Sequence, residues 1–595
     1  MLVSRCFSLL LLALAFTANA ADTVRERAQT EEIVYFVLPD RFENGNPAND
    51  RGGLKGGDRL QHGFDPTSKG FFHGGDLQGL TSRLDYIQAL GATAVWLTPV
   101  FRNKPVQGGP GQESAGYHGY WITDFTSVDP HLGDEAQMQA FVRGAHERGM
   151  KVYLDIIANH TADVIAYREC PTDKCPYRPR ADYPYSRRGG LQGEAINEGF
   201  TGRNFEKLTR PDFAYTPYLP AGEERVKVPQ WLNDPLLYHN RGNTTFEGES
   251  SEMGDFVGLD DLTTEDPRVV KGMIEIYGGW IDRYGVDGFR IDTARHVNAE
   301  FWQAFVPAML QRAAAKGIPH FHIFGEVSTS NIDVALLARY TRDAGLPAVL
   351  DFAFASAVRA TVAGDAGTDK LARLFADDTL YEGGEKTALQ LPTFISNHDA
   401  GRFAYFVGTA RPQVNDDEVL KRVLLAHAMM FTLRGVPVVY YGDEQGFTGV
   451  GNDQDARHDM MTSRTPSYLA DRRIGVGPNA PNFDLNHPIA RAIAGLATLR
   501  RAHAALRSGR QVVRNYSESP GLFAVSRLDP ATGREIAVAF NTSLQPLTTT
   551  MEVDASSRRF TSLHGKCASE VAAPGSYRVV LAPLDYIVCA AGDGR

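Results

Sequence analysis

The sequence has no excess of positive charge, few cysteines and, after residue 20, no apolar run long enough to cross a membrane. Its 61 Lys and Arg residues stand against 71 Asp and Glu residues, giving a formal net charge of −10 at pH 7. An acidic chain gains no counterion release by binding a polyphosphate, so nucleic acid is not an expected partner. Internal repeats and low-complexity segments are also lacking, which excludes solenoid and fibrous architectures.

What the chain does have is length and apolar content. It contains 595 residues, of which 43% are hydrophobic and 22% charged. That composition is typical of a globular protein, and the length exceeds what one compact core holds, so roughly two to four domains are expected.

The first twenty residues resemble a secretory signal peptide. Arg5 gives a basic start, residues 7–16 are almost wholly apolar, and Ala18-Asn19-Ala20 offers the small-x-small pattern of a cleavage site. The alternative, an N-terminal anchor helix, needs about 20 apolar residues, more than this run provides. We therefore predict export, either into a periplasm or out of the cell.

Five cysteines are present, and Cys6 falls in the predicted signal peptide. The remaining Cys170, Cys175, Cys567 and Cys589 form an even set, which in an exported chain indicates disulfides. Three pairings are possible, and loop geometry favours the two local ones, Cys170 with Cys175 and Cys567 with Cys589. Zinc is the alternative, although neither pair has the spacing of a Cys-x-x-Cys site.

Eight apolar, β-branched segments alternate with helix-like stretches between residues 33 and 445. Such alternation predicts parallel strands joined by right-handed crossovers, and eight of them can close into a (β/α)8 barrel. The predicted strands are residues 33–38, 94–97, 151–157, 286–291, 322–327, 349–354, 389–395 and 436–441.

Two departures from the alternation define the predicted domains. About a hundred residues rich in Pro, Gly, Tyr and Arg follow the third strand, and we expect them to form a small subdomain over the barrel mouth. From about residue 509 short alternating segments predict an antiparallel β-sandwich. The predicted division is a signal peptide (1–20), a barrel (21–160 and 260–507), an inserted subdomain (161–259) and a C-terminal sandwich (508–595).

Three carboxylates stand at the ends of separate predicted strands: Asp292, Glu326 and Asp399. The carboxyl ends of barrel strands build the active site of such folds. Each carboxylate alone could be an ordinary strand-end ion pair, but three on one rim, each beside a basic or imidazole side chain, point to a site. Acetal hydrolysis needs one carboxylate to attack and one carboxylic acid to protonate the leaving oxygen.

Four short motifs surround these residues in order: Asp-Ile-Ile-Ala-Asn-His at 155–160, Gly-Phe-Arg-Ile-Asp-Thr-Ala-Arg-His at 288–296, Phe-Gly-Glu-Val at 324–327 and Phe-Ile-Ser-Asn-His-Asp at 394–399. Together they resemble the motifs of the α-amylase family of glycoside hydrolases (family 13). The first strand, the Gly-Tyr-Trp turn at 119–121 and the terminal β-domain also fit that family's layout. The resemblance implies the (β/α)8 barrel and retaining chemistry on an α-glucan.

The resemblance also implies roles. Asp292 would be the nucleophile, Glu326 the acid and then the base, and Asp399 would bind and distort the reacting sugar. Arg290, on the same strand face as Asp292, can keep that carboxyl ionised. For Tyr120 a core aromatic, and for Arg295 and Arg457 ordinary surface charges, are the alternatives. The implied sugar-binding residues are Tyr120, His160, Arg290, Arg295, His398, Asp453 and Arg457.

Two oxygen-rich clusters predict structural calcium, an ion that takes six to eight oxygen ligands. By resemblance, Asn159, Asp261 and the main-chain oxygen of His296 would tie the inserted subdomain to the barrel. The second cluster resembles the N-terminal calcium loop of cyclodextrin glucanotransferases, although a plain Asn-rich turn is the alternative. Its residues are Asn44, Asn46, Asn49, Asp50, Gly74 and Asp76.

The leading hypothesis is an exported enzyme, expected to be monomeric, that cuts internal α-1,4 bonds of starch or maltodextrins. Cyclomaltodextrinase, neopullulanase and cyclodextrin glucanotransferase activities are the alternatives within the family. The expected absence of an additional N-terminal β-domain and of a starch-binding domain argues against them, but Asp260 departs from the usual Pro or Ala and leaves the subfamily open. A non-catalytic glucan-binding barrel is the alternative from another class.

Overall fold

The computed structural model describes residues 24–172, 174–477 and 480–592. Eight parallel strands form one sheet in the spatial order β6-β5-β4-β3-β2-β1-β8-β7. The backbone N–H of Asp351, after β6, donates to the carbonyl of Pro392 in β7 at 2.9 Å, which joins the two ends of the row. The predicted (β/α)8 barrel is therefore confirmed. Its strands are β1 (Val34–Val37), β2 (Ala94–Leu97), β3 (Lys151–Ile157), β4 (Gly288–Asp292), β5 (His322–Gly325), β6 (Ala348–Val349), β7 (Pro392–Thr393) and β8 (Val436–Tyr440).

The prediction was wrong about the end of the sixth strand. The apolar run 349–354 leaves the sheet after Val349 and continues as the helix Phe352–Val358. The side chain of Asp351 accepts the backbone N–H of Phe354 at 2.8 Å and so caps that helix. A short buried apolar run cannot be assigned to strand or helix by periodicity alone, and here the cap decides the outcome.

Helices cover the outside of the barrel. The longest, Pro267–Tyr284, begins with a cap from the Asp266 side chain and ends at Gly285 in the left-handed conformation. Trp280 on its inner face is fully buried. The remaining α-helices are Arg59–His62, Leu77–Ser82, Leu84–Ala89, Glu135–Glu147, Ser250–Met253, Ala299–Ala315, Val334–Arg342, Phe352–Val358, Asp369–Ala376, Glu385–Ala388, Phe403–Ala410, Asp416–Thr432, Pro466–Ala470, Pro488–Ala502 and Ala504–Ser508.

The long segment after β3 has a small apolar core of its own, centred on Phe205, Leu208 and Phe213. Cys170 and Cys175 form a disulfide in it, as predicted. Backbone hydrogen bonds attach its two ends to the rim of the barrel. The short strand pairs along and before this segment are Phe101–Asn103 with Ile122–Val128, Val106–Gln107 with Ser114–Ala115, and Ala166–Tyr167 with Pro217–Tyr218.

The C-terminal region is antiparallel, as predicted. A five-stranded sheet has the order β9-β10-β11-β15-β13, and a two-stranded sheet pairs β12 with β14. The disulfide between Cys567 and Cys589 joins this region internally, which confirms the second predicted pairing. Its strands are β9 (Arg510–Asn515), β10 (Leu522–Leu528), β11 (Glu535–Asn541), β12 (Leu547–Glu552), β13 (Phe560–His564), β14 (Ser576–Leu581) and β15 (Tyr586–Ala591).

Arg527 of this region and Arg500 of the barrel helix Pro488–Ala502 bind the same helix end of the barrel. Arg527 of β10 donates to the carbonyl of Thr432 at 2.9 Å, and Arg500 donates to the carbonyl of Phe431 at 3.0 Å. Both carbonyls lie at the C-terminus of the helix Asp416–Thr432, where the last carbonyls have no partner within the helix.

Among the described residues no helix has the length and apolar character needed to span a bilayer. The predicted signal peptide, residues 1–20, lies outside the described residues. The exact domain boundaries stay predictions.

Candidate active site

One buried guanidinium gathers three carboxyl groups at the C-terminal end of the barrel. Arg290 and Asp292 are two residues apart on β4 and so point to the same face. Nη1 of Arg290 lies 2.7 Å from Oδ1 of Asp292 and 2.7 Å from Oδ1 of Asp155 on β3. Its Nη2 lies 2.9 Å from Oε2 of Glu326, directly after β5. The guanidinium of Arg290 therefore holds two of the predicted catalytic carboxyl groups, those of Asp292 and Glu326, next to each other.

Burial governs the protonation of this cluster. It raises the pKa of Glu326 to about 7, and the cation of Arg290 opposes the rise. Burial likewise raises the pKa of Asp292 to about 7 and that of Asp155 to about 7, again against the pull of Arg290. The carboxyl groups thus exchange protons near neutral pH, which lets one of them act as an acid there.

Glu326 is oriented by a backbone donor from the neighbouring strand end. Thr293, the residue after Asp292, has φ 47° in the left-handed region, which is uncommon for a residue other than glycine. Its N–H donates to Oε2 of Glu326 at 3.0 Å. The unusual backbone at this position directs a hydrogen bond at the predicted acid, as strained residues at functional sites commonly do.

Tyr120 links the buried cluster to the outer part of the rim. Its hydroxyl donates to Oδ2 of Asp155 at 3.0 Å and lies 2.7 Å from Nε2 of His398. The two rings stack with centroids 5.4 Å apart. Burial lowers the pKa of His398 well below its usual value, and the cations of Arg457 and Arg290 add to the effect, so the imidazole is neutral. Tyr120 therefore contacts both the carboxyl cluster and His398.

Arg457 joins three neighbouring residues on the outer part of the rim, namely His398, Asp399 and Asp453. Its Nη2 lies 2.9 Å from Oδ1 of Asp399 and 2.6 Å from Oδ1 of Asp453, and its Nε donates to the main-chain oxygen of His398. The side chains of Asp399 and Asp453 are 44% and 61% exposed, whereas that of Arg457 is 6% exposed. A buried cation thus presents two carboxylates to solvent.

His160 and Arg295 lie on another part of the rim. His160 packs against the ring of Phe256 with centroids 5.6 Å apart, and its buried Nε2 has no hydrogen-bond partner within the described residues. Burial lowers the pKa of His160 to about 3, so it is neutral. Arg295 donates to the main-chain oxygen of Ser328 at 3.0 Å. Sequence reasoning placed both residues in the site, and no contact described above ties them to the carboxyl cluster.

Sequence reasoning missed two features of the rim. Asp155 opens a recognised motif, yet its contacts with Arg290 and Tyr120 were not foreseen. Phe246 and Val257 are 44% and 72% exposed, and both have positive φ, 63° and 55°. Exposed apolar residues in the left-handed region are unusual. The glycines of this loop, Gly248 and Gly258, both have positive φ, and glycine is a turn signal that the sequence shows.

The predicted N-terminal calcium loop contains buried side-chain oxygen atoms that have no hydrogen-bond partner among the described residues. Oδ1 of Asn44 and both polar side-chain atoms of Asn49 are buried and have no hydrogen-bond partner within the described residues. Oδ1 of Asp50 accepts a bond from Asn44 at 2.8 Å, and burial raises the pKa of Asp50 to about 6. A Cβ at Gly74 would come within 2.7 Å of Oδ1 of Asp50. These features fit a bound cation.

The other two residues of that loop have structural partners. Asp76 caps the helix Leu77–Ser82 and accepts the N–H of Gly79 at 2.7 Å and that of Asn46 at 2.8 Å. Oδ1 of Asn46 accepts the N–H of Ala48 at 3.3 Å. Asp76 therefore shapes the loop that carries the unpartnered amides.

At the other predicted calcium position, between the inserted subdomain and the barrel, the predicted side-chain ligands already have hydrogen-bond partners. Oδ2 of Asp261 lies 2.6 Å from Nδ1 of His239, and neighbouring carboxylates raise the pKa of that buried imidazole well above its usual value, against the effect of burial. Nδ2 of Asn159 lies 3.1 Å from a ring nitrogen of His160. Across the described residues, no group of three or more His, Cys, Asp and Glu side chains is arranged to hold a metal ion. This junction fits calcium less well than the N-terminal loop.

Comparisons with known proteins show which family this chain resembles. Residues 36–473 match the family model described as the alpha amylase catalytic domain. An α-amylase of Streptomyces lividans is 42% identical over 580 residues, which is 97% of this chain and 62% of that relative. The chain thus spans less than two thirds of the relative's length.

Two solved structures match almost the whole chain. An α-amylase of Geobacillus thermoleovorans, complexed with acarbose, is 26% identical with a TM-score of 0.66, over 96% of this chain and 100% of that one. A cyclomaltodextrin glucanotransferase with a three-domain ABC distribution is 26% identical with a TM-score of 0.70, over 94% of this chain and 99% of that one.

Removal of the shared cation tests the electrostatics of the cluster. We expect Arg290→Met to lower the free energy of unfolding by roughly 3 kcal/mol at pH 8, because three buried carboxylates lose their partner. The loss should shrink at pH 5, where protonated carboxyl groups need no cation. Denaturant unfolding at both pH values measures this. Arg339→Met, in a surface pair with Asp343, is the control, with an expected loss below about 0.5 kcal/mol. A pH-independent loss would contradict the account.

Proposed function

The chain belongs to the α-amylase catalytic-domain family of glycoside hydrolases, and on that basis we propose that it cleaves internal α-1,4-glucosidic bonds of starch or maltodextrins with retention of configuration. The observation that carries the proposal is the bridging of Asp292 and Glu326 by Arg290. One guanidinium with a carboxyl on each terminal nitrogen keeps the two groups close together, and a retaining mechanism requires close carboxyl groups.

In the first step an oxygen of Asp292 attacks the anomeric carbon while Glu326 transfers its proton to the glycosidic oxygen. The bond to the leaving glucan breaks, and a glycosyl ester on Asp292 forms. In the second step Glu326, now a carboxylate, takes a proton from water as the water oxygen attacks the same carbon. Asp292 leaves as a carboxylate and Glu326 is again protonated, so the cycle closes.

The other rim residues would hold the sugar. The partly exposed ring of Tyr120 can cover the apolar side of a pyranose, and the exposed carboxylate of Asp399 can accept bonds from its hydroxyl groups. Nε2 of His160, buried and without a partner, is available to a hydroxyl. Asp453 with Arg457 would bind the neighbouring sugar on the non-reducing side, and Arg295 the sugar on the leaving side.

Product analysis on soluble starch tests the function. We expect linear maltooligosaccharides that are initially α-anomeric, and a loss of at least about a thousandfold in rate for Asp292→Asn and for Glu326→Gln, which remove the nucleophile and the acid. Asp85→Asn, an exposed carboxyl paired with Arg148, is the control and should keep full activity.

A substrate panel of debranched dextrin, pullulan and β-cyclodextrin belongs to the same experiment. Preference for pullulan or the cyclodextrin would replace the amylase proposal by a neopullulanase or cyclomaltodextrinase. Cyclic products from starch would indicate a glucanotransferase. No products from any glucan, with binding retained, would indicate a non-catalytic barrel.

The pH dependence of kcat/KM follows from the raised pKa values. Turnover needs Asp292 ionised and Glu326 protonated, so a fall in pH protonates the nucleophile and a rise removes the acid proton. Because burial raises the pKa of Glu326 to about 7, we expect the alkaline limb near pH 7 and not near pH 4.5. Burial also raises the pKa of Asp292 to about 7, so the acid limb should lie close to the alkaline limb and the profile should be narrow. Rates on a short chromogenic maltooligosaccharide measure the profile. A plateau that extends to pH 9 would contradict the assignment.

We also propose that the N-terminal loop binds Ca²⁺ through Asn44, Asn49, Asp50 and the main chain near Gly74, supported by the unpartnered amide oxygens. A bound ion would cross-link the loop to the barrel and would have no part in the chemistry. The junction formed by Asn159, Asp261 and the main-chain oxygen of His296 stays a second, less well fitted candidate.

Chelation tests this site. Calcium at about a hundred times its Kd should add roughly 2.7 kcal/mol to the free energy of unfolding, so exhaustive chelation should lower Tm, and added Ca²⁺ should restore it. Calorimetric titration of the chelated protein with Ca²⁺ counts the ions. Asn49→Ala should abolish binding at this loop, and Asn486→Ala, in an exposed turn, should not. An unchanged Tm together with no heat of binding would remove both calcium proposals.

Export is the remaining proposal. The signal-like segment 1–20 and the two disulfides of the structure both suit an oxidising compartment outside the cytosol.

A further inference from the structure

Arg41 and Tyr117 form a buried stack behind the rim that no part of the proposed chemistry uses. The guanidinium carbon of Arg41 lies 3.7 Å from the centroid of the Tyr117 ring. Arg41 has no solvent exposure, and Tyr117 is 2% exposed. A buried cation placed over an aromatic face is attracted by the ring, more strongly than at an exposed site.

Tyr117 of this stack also contacts Arg457 at the rim. The hydroxyl oxygen of Tyr117 accepts a hydrogen bond from Nη1 of Arg457 at 3.1 Å. The remaining nitrogens of Arg457 reach Asp399, Asp453 and the main-chain oxygen of His398. All three nitrogens of that guanidinium thus have partners, and Tyr117, which is 2% exposed, is the partner that belongs to the buried stack.

Arg41 is itself held from several directions. It pairs with Asp40, its Nη2 donates to the main-chain oxygen of Lys69 at 2.9 Å, and its Nε lies 3.8 Å from Asp459. Oδ1 of Asp459 lies 2.6 Å from Nδ1 of His73. The side chains around Arg41 are therefore two carboxylates, one of which also contacts the imidazole of His73, and they hold its guanidinium against the ring.

The exposure of the carboxylates shows why such a support is needed. Asp399 is 44% exposed and Asp453 is 61% exposed along their side chains, so packing does little to fix either of them. Besides its contact with Arg457, Asp399 has Oδ2 at 3.2 Å from Nε2 of His398. Arg457 makes the ion pair with each. A long arginine side chain has many rotamers, and its plane must be set by fixed partners if it is to aim two carboxylates.

We propose that Arg41 and Tyr117 are positioning residues: they set the plane of Arg457, and through it the direction in which Asp399 faces the reacting sugar. The sugar part of this statement rests on the proposed function. Neither residue touches substrate, and their effect passes wholly through Arg457.

Tyr117→Phe is the decisive variant, because it keeps the ring under Arg41 and removes only the oxygen that Arg457 contacts. We expect kcat/KM on a maltooligosaccharide to fall about tenfold, which corresponds to about 1.4 kcal/mol. Tyr86→Phe is the matched control: its buried hydroxyl accepts from Gln445 and donates to Glu444, and it is not the partner of Arg457. It should lower Tm to a similar extent and leave kcat/KM unchanged.

A double-variant cycle separates positioning from general support of the fold. In an Arg457→Met background the addition of Tyr117→Phe should change kcat/KM less than twofold, because the residue through which Tyr117 acts is gone. A further tenfold fall in that background would overturn the proposal. Arg41→Met should reproduce the loss seen with Tyr117→Phe, and Arg41→Lys, which keeps a cation over the ring, should restore part of it. Equal loss in the two Arg41 variants would also count against the proposal.

A crystal structure of Tyr117→Phe gives a readout that needs no turnover. We expect the contact between Nη2 of Arg457 and Oδ1 of Asp399, 2.9 Å in the native chain, to open beyond hydrogen-bond distance. If the native chain cleaved no α-glucan, the proposed function would fail while this structure would still decide the role of Tyr117. An unmoved Arg457 together with unchanged kinetics would overturn the positioning role itself.

Discussion

The buried guanidinium of Arg290 is the constraint on which the site depends. Its two terminal nitrogens hold Asp155, Asp292 and Glu326, which as three unpaired buried anions would be very costly to bury. One cation cannot balance three carboxylates, so the cluster would carry excess negative charge if all three were ionised. Burial disfavours that charge and therefore keeps protons on the carboxyl groups. The same imbalance that would destabilise an ordinary core gives this one an acid that works near neutral pH.

The barrel supplies the geometry for this balance. Parallel strands present their carboxyl ends on one face, so residues far apart in the chain, such as Asp155 and Glu326, come into contact with one side chain. The outer half of the rim follows a different design. There Arg457 is the buried member, and the carboxylates around it face solvent, where sugar hydroxyl groups can reach them. The cluster around Arg290 therefore sets the protonation of its carboxyl groups, and Arg457 sets the orientation of the carboxylates that face solvent.

Much of this arrangement could be predicted from the sequence, since the eight apolar runs and the four motifs specify the barrel and the carboxylates at its rim. What could not be predicted involves contacts between distant segments. The capping of Phe352–Val358 by Asp351 ends a run that looked like a strand. The stack of Arg41 on Tyr117 joins the first strand's end to the loop after the second, and neither residue has a local pattern that marks it. The engagement of Asp261 by His239 likewise depends on how the inserted segment folds back.

The contact between the barrel and the C-terminal region has a consequence for how the protein unfolds. Arg527 of the C-terminal region binds the main-chain carbonyl of Thr432 at the end of a barrel helix, and among the described residues it forms no ion pair with a carboxylate. Burial lowers the pKa of Arg527 to about 9, which still leaves it charged at neutral pH. The exposed ion pair across this contact, between Arg510 and Glu385 at 3.5 Å, contributes little to stability. Salt screening and acid, which weaken such pairs, do not act on the contact of Arg527 with a main-chain carbonyl. The two regions should therefore lose their structure together, as one cooperative transition whose midpoint responds little to ionic strength.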